Sequence, residues 1–152
     1  MKKIFCLVLV VSIFCVASLN TNFSDYIFSI SSDAEVSFFV SKFQDLNGTE
    51  IIKNGDGFVL NCTADFAEKN FNKIKGCYGF SIKTKYDPKI LNRILNDAKV
   101  VSTAIVQNIK NYYCSLAGVP FSTIIDGKKI NFQIAVNNQS IIVGSPIILG
   151  SY

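Results

Sequence analysis

Histidine is absent from this 152-residue chain, and the reactions open to it are narrowed accordingly. Imidazole is the side chain most used for proton transfer near neutral pH and for zinc binding, so Ser-His-Asp triads and Cys-His proteases are excluded. Any chemistry would fall to 11 carboxylates, 15 Lys and Arg, and five cysteines. Carboxylate-pair catalysis needs two acids in one cleft, one of them held at a raised pKa. Here the acids are dispersed, each with a structural explanation: Asp33 and Glu35 at a helix start, Asp56 and Asp126 in turns, Asp65 and Glu68 in a first helical turn, Asp87 at an N-cap. No Walker-type glycine loop, no GxGxxG after a strand and no GxSxG elbow is present. Asn54-Gly55-Asp56-Gly57 has the residue types of a calcium loop but lacks the EF-hand spacing and its terminal Glu, and it reads as a turn. No cofactor or metal set is expected.

The candidate contact surface is basic. Lys73 and Lys75 fall at the end of an expected helix, and Lys83 and Lys85 on the polar face of the strand after it. Together they could meet an anionic polymer or lipid headgroups. Each also has a plainer role, because lysines suit helix C-termini and protect the wet face of a sheet.

Met1-Lys2-Lys3 followed by the apolar run Ile4–Val16 reads as a signal peptide, with Val16-Ala17-Ser18 placing cleavage after Ser18. The alternative is an uncut anchor, although Ile4–Leu19 falls short of the roughly 20 residues a spanning helix needs. Neither Cys6 nor Cys15 has the small preceding residue of a lipoprotein signal. Losing Lys2 and Lys3 would take the net charge from +4 to +2, so part of the basicity and of the mean hydropathy of +0.34 belongs to this segment. Nucleic acid is not expected as a partner. Cys62, Cys77 and Cys114 would remain, an odd number. A helix between Cys62 and Cys77 would hold them beyond the roughly 7 Å a disulfide allows, whereas Cys114 could pair with either or all three could be buried thiols.

The elements that must position these groups follow from pattern. Residues 19–31 carry no caps and read as a linker, which leaves 32–152 as a single domain. Ser32-Asp33-Ala34-Glu35 has capping-box spacing, and Val36, Phe39, Val40 and Phe43 recur at helical intervals, so a helix is expected from Asp33 to Leu46. The alternative is a strand over Glu35–Lys42, which the aromatic and β-branched content there would suit. Thr49–Lys53 and Phe58–Cys62 flank a glycine-rich turn and predict a hairpin. A helix follows over 64–75, with Thr63 as N-cap and Gly76 past its end, then a half-buried strand over Tyr78–Lys85. Asp87-Pro88 opens a helix over 88–96. Val100–Leu116 fits two strands turning near Gln107-Asn108, or a helix using Ile105, Val106, Ile109 and Tyr113; β-branched residues favour the strands. Thr123–Ile125, Lys129–Val136 and Ser140–Val143 predict a three-stranded meander, with Pro146 capping the last strand and Ile147-Ile148-Leu149 entering the core. The sum is α+β: a largely antiparallel sheet with two to three helices on one face.

Gly79-Phe80-Ser81-Ile82-Lys83, Asn111-Tyr112-Tyr113, Ile125-Asp126-Gly127-Lys128-Lys129-Ile130-Asn131-Phe132-Gln133-Ile134-Ala135 and Val143-Gly144-Ser145-Pro146-Ile147-Ile148-Leu149-Gly150-Ser151-Tyr152 resemble the YwmB family of exported proteins from spore-forming Gram-positive bacteria. The resemblance implies a TATA-box-binding-like, two-lobed α+β fold, and supplies no catalytic residue. Fold likeness of that kind does not imply DNA binding. The expected function is therefore that of an exported, envelope-associated binding or accessory domain without catalysis, meeting an anionic envelope polymer, a membrane surface or another envelope protein. The alternatives are an extracytoplasmic hydrolase using Asp/Glu or Ser/Lys groups and a membrane-anchored structural subunit.

Overall fold

The structure, a computed structural model, describes residues 25–149. The basic start, the apolar run, the cleavage position and residues 19–24 of the expected linker lie outside the described residues. Among the described residues ten strands run in chain order with two helices between them: β1 (Glu35–Val40), β2 (Glu50–Asn54), β3 (Gly57–Thr63), α1 (Ala64–Asn70), β4 (Cys77–Lys85), α2 (Pro88–Asp97), β5 (Lys99–Val106), β6 (Ile109–Ser115), β7 (Thr123–Ile125), β8 (Lys128–Ile130), β9 (Phe132–Val136) and β10 (Ser140–Ser145). A helical turn occupies 25–28, and a 3₁₀ turn (Phe71–Lys73) follows α1. Eight strands form one sheet in the order β2-β3-β1-β4-β10-β9-β6-β5, every pairing antiparallel, while β7 and β8 form a separate ribbon. The expected α+β architecture is present.

Local chemistry accounts for the turns and caps. Gly55, at φ 57, is the first central residue of the two-residue turn that brings Asn54 opposite Gly57. Gln107 and Asn108 both take positive φ (50 and 65) between β5 and β6, and Asp126 does so (φ 49) ahead of Gly127 in the β7–β8 turn. The Thr63 hydroxyl accepts the Phe66 N–H at 3.3 Å, and the Asp87 carboxylate accepts the Lys89 N–H at 2.7 Å.

One face of the sheet makes the core. Val36 and Phe38 of β1, Leu60 of β3, Phe80 and Ile82 of β4, Ile134 of β9 and Ile141 and Val143 of β10 pack there with Ala64 and Ala67 of α1 and Ile94 of α2. Alternate side chains of antiparallel strands share a face, which is why these positions recur every second residue.

Several expectations are corrected. Residues 33–46 do not form a helix; Glu35–Val40 is a strand between β3 and β4. Its helical periodicity arises because both of its faces are covered: Phe38 is buried on the core side and Phe39 on the other, so the alternation of a half-buried strand is erased. The 25–31 part of the expected linker belongs to the core. Ile27, Phe28 and Ile30 are buried, and the Phe28 ring lies 5.6 Å from both Phe38 and Phe80. The helix over 64–75 stops at Asn70, whose side chain donates to the Phe66 carbonyl at 3.0 Å, and tightens into the 3₁₀ turn. The single strand Lys129–Val136 is two, β8 and β9, broken at Asn131. That side chain bonds both the N–H and the carbonyl of Leu116 at 2.8 Å. Ile147-Ile148-Leu149 does not enter the core; it folds onto the opposite face, leaving Leu149 exposed.

Candidate functional site

The face of the sheet turned away from α1 and α2 carries two rows of side chains that run across its strands. One reads Thr63, Glu35, Lys83, Ile142, Ala135 from β3 to β9. The next reads Glu50, Asn61, Ser37, Ser81, Gly144, Gln133, Tyr113 from β2 to β6. Within it the Ser37 hydroxyl donates to Asn61 Oδ1 at 2.7 Å.

Residues 146–149 cross this face and divide it. They lie flat because Gly144 has no side chain: a Cβ there would come within 2.6 Å of the Ile148 nitrogen. Gln133 fastens the crossing, its Oε1 accepting the Ile148 N–H at 3.0 Å while its Nε2 donates to Asn111 Oδ1 at 2.9 Å.

On the β1–β4 side of that crossing the surface is grooved. A groove of about 380 Å³ is lined by Asp33, Glu35, Lys83, Lys85, Asn137 and Gln139. A second, about 240 Å³, has Glu35 and Lys83 against an apolar wall that includes Phe39, Val59, Ile148 and Leu149. A third, about 520 Å³, runs past Glu35, Ser37, Asn61 and Glu50. Glu35 borders all three. The rim of the first is fixed by Asn137, whose Oδ1 accepts the N–H groups of Gln139 (2.8 Å) and Ser140 (2.7 Å).

The four lysines read from sequence do not form one patch. All four are exposed, but Lys83 and Lys85 stand at the groove while Lys73 and Lys75 precede the other end of β4. Seven residues lie between Lys75 and Lys83, six of them in β4, so about 26 Å of extended chain keeps the two pairs apart. Lys73 donates to Asn70 Oδ1 at 3.1 Å, and the Lys75 backbone bonds the Gln44 side chain. Nor is the groove basic, since Asp33 and Glu35 balance Lys83 and Lys85. Sequence reasoning missed these acids as site residues because it placed them at a helix start. Only the strand reading of 35–42 carried a signal that could have aimed Glu35 across a sheet.

Among the described residues the cysteines are Cys62, Cys77 and Cys114, all free; Cys62 borders the third groove, and Cys77 and Cys114 line none of the three. Cys62 lies opposite Val36 and Cys77 opposite Val40, at the two ends of β1, which keeps them apart. Burial pushes the Cys62 thiol up to about 12 and Cys77 and Cys114 to about 11, so all three stay protonated and weakly nucleophilic near neutral pH. Among the described residues no His/Cys/Asp/Glu group converges to hold a metal ion, and no helix is long and apolar enough to cross a membrane.

The arrangement offers both charges, amide and hydroxyl groups and an apolar wall on a hydrogen-bonded platform, which suits holding a polar chain. No family model matches this chain, and no curated protein or solved structure matches it.

Proposed function

We propose that this chain is an exported bacterial binding domain without catalysis of its own, which holds an envelope polymer against the sheet face around Glu35 and Lys83. The observation that carries this reading is the convergence of three grooves on Glu35, with Lys83 and Lys85 beside it. The polymer best matched carries ammonium and carboxylate groups together, because the groove presents two acids and two lysines and is not a purely basic surface. Kinship with the YwmB family is part of the same proposal, supported by the strand and turn residues quoted above. So is a two-lobed arrangement, supported by the contribution of β1–β4 to one side of the sheet and β5, β6, β9 and β10 to the other.

Co-sedimentation with insoluble cell-wall polymer tests the reading. The double variant Lys83→Ala/Lys85→Ala and the variant Glu35→Gln should each weaken capture by about tenfold, the equivalent of one charge-assisted contact. Capture that is unchanged in both variants overturns it.

One observation favours a second reading, a hydrolase: the same groove holds two acids, and Ser140 stands opposite Lys85 on the neighbouring strand. The Ser140 hydroxyl, however, donates to Asn137 Oδ1 at 3.1 Å as part of the turn. Soluble fragments released from the polymer by the wild type and not by Glu35→Gln would establish hydrolysis in place of binding alone.

A further inference from the structure

The eight-stranded sheet ends in two unlike edges. Edge strand β2, Glu-Ile-Ile-Lys-Asn, carries Glu50 and Lys53, the charged decoration that keeps an edge from pairing with another chain. Edge strand β5 carries Lys99 at its first position and then seven uncharged residues, Val-Val-Ser-Thr-Ala-Ile-Val. Its apolar side chains are turned to solvent: Ile105 is 74% exposed and Val106 54%. On its inner side β5 bonds β6, and among the described residues no further strand pairs with its outer side, where the alternate backbone groups remain open to a partner.

We propose that β5 is the interface of a homodimer, two copies of this chain pairing edge to edge, antiparallel, about a two-fold axis through Ala104. The position of the axis follows from the strand. The register against β6 shifts between Val100 and Ser102, a bulge at Val101, and the chain leaves the strand at the Gln107-Asn108 turn. The regular stretch is thus Ser102–Val106, and its middle residue is Ala104. An isologous contact requires the same patch on both copies. About Ala104, Ser102 of one copy meets Val106 of the other, Thr103 meets Ile105, and Ala104 meets itself.

Each of these pairs keeps its faces. Thr103 and Ile105 stand opposite Tyr112 and Lys110 of β6, on the helix-bearing face, while Ser102, Ala104 and Val106 point to the other. The Thr103–Ile105 pair joins two β-branched side chains, a favourable cross-strand combination. No charge stands within the stretch, so no like charges are opposed. The nearest lysine, Lys110, is drawn back from the edge, its Nζ 4.9 Å from the centre of the Tyr112 ring. Neither the groove reading nor export is required for this contact.

Five residues per copy make a small interface, so association in the micromolar range or weaker is expected. The test is sedimentation of the full chain across about 1 to 500 µM together with cysteine crosslinking. Directly opposed residues in an antiparallel pair have Cα atoms about 4.5–5.5 Å apart, within disulfide range. Ala104→Cys should therefore form an intermolecular disulfide under mild oxidation. Val100→Cys should not, because the two-fold axis sets its two copies about 26 Å apart. Wild-type chain should show concentration-dependent dimers that Ile105→Lys abolishes, and Thr103→Lys, on the same exposed edge, should act alike. A monomer at every concentration with no Ala104→Cys crosslink overturns the proposal. So does a dimer that both lysine variants leave intact, which would place the contact elsewhere. A crosslink of equal yield from Val100→Cys and Ala104→Cys would refute the register.

Discussion

Glu35 on β1 and Lys83 on β4 occupy directly opposed positions on the open face of the sheet, with no ion pair joining them. Both side chains border the same two grooves and remain available to groups brought from outside. Placing a like charge at position 35 would set two cations side by side. Glu35→Lys is expected to lower stability by about 0.5 kcal/mol, whereas Glu35→Gln should leave it unchanged, as read from urea midpoints. A loss of the same size in Glu35→Gln would mean that the pair stabilises the fold, and the site would lose its claim on Glu35.

Tyr26 ties the 25–28 turn to α2. Its hydroxyl donates to Asp97 Oδ2 at 2.6 Å, and the Arg93 guanidinium lies 5.1 Å from its ring centre. Burial, followed by the hydrogen bond to the Asp97 carboxylate and that group's charge, pushes the Tyr26 hydroxyl up to about 12. The unfolded tyrosine ionises near 10, so between about pH 10 and 12 the folded chain keeps a proton that the unfolded chain has lost. This contribution to stability is complete below pH 10 and disappears as pH rises towards 12. Tyr26→Phe should cost about 1 kcal/mol at pH 7. The difference between wild type and variant should shrink at pH 11; a gap that stays constant would contradict the linkage.

Gly144 is where residues 146–149 touch the sheet. Gly144→Ala would force backbone apart, since the new Cβ would also lie 2.7 Å from the Ile147 carbonyl carbon. The expected cost is about 1–3 kcal/mol, measured by thermal unfolding. Release of the crossing would also remove one wall of the smaller groove, so polymer capture should fall in the same variant. Wild-type stability in Gly144→Ala would show that the crossing does not hold this position.

The three thiols should be slow to react. At pH 8 a thiol with a pKa near 11 is about a hundredfold less ionised than an unfolded cysteine. Alkylation of Cys62, Cys77 and Cys114 in the folded chain should be slower by at least that factor than in urea, as followed by mass spectrometry. The mass of unreduced protein should show three free thiols on these residues. A mass two units lower would reveal a disulfide that the structure does not contain.

Phe80 sits at the centre of a ring cluster, 5.6 Å from Phe28, 6.5 Å from Phe38, 6.4 Å from Phe71 and 6.3 Å from Phe121. Phe80→Ala should cost about 3–5 kcal/mol, the range for emptying a buried aromatic position. Denaturant titration reads the loss. A cost below 1 kcal/mol would place the centre of the core elsewhere.

Sequence by itself determined what is decided within a few residues. The turns at Gly55, Gln107-Asn108 and Asp126-Gly127 were legible because positive φ is a local demand that few residue types meet. The caps Thr63 and Asp87 were legible because a helix N-terminus needs a side-chain acceptor next to it. Alternation along Tyr78–Lys85 likewise showed that Lys83 and Lys85 share a face. Tertiary structure decided the rest. Glu35–Val40 became a strand because both its faces found cover, which no local pattern announces. Residues 27–30 entered the core through Phe38 and Phe80, partners far along the chain. Glu35 met Lys83 and parted company with Lys73 and Lys75 because pairing between β1 and β4 fixes a register across more than forty residues. That register is set by the summed burial of the whole sheet, and a shift of one residue would turn every side chain of β1 to the opposite face.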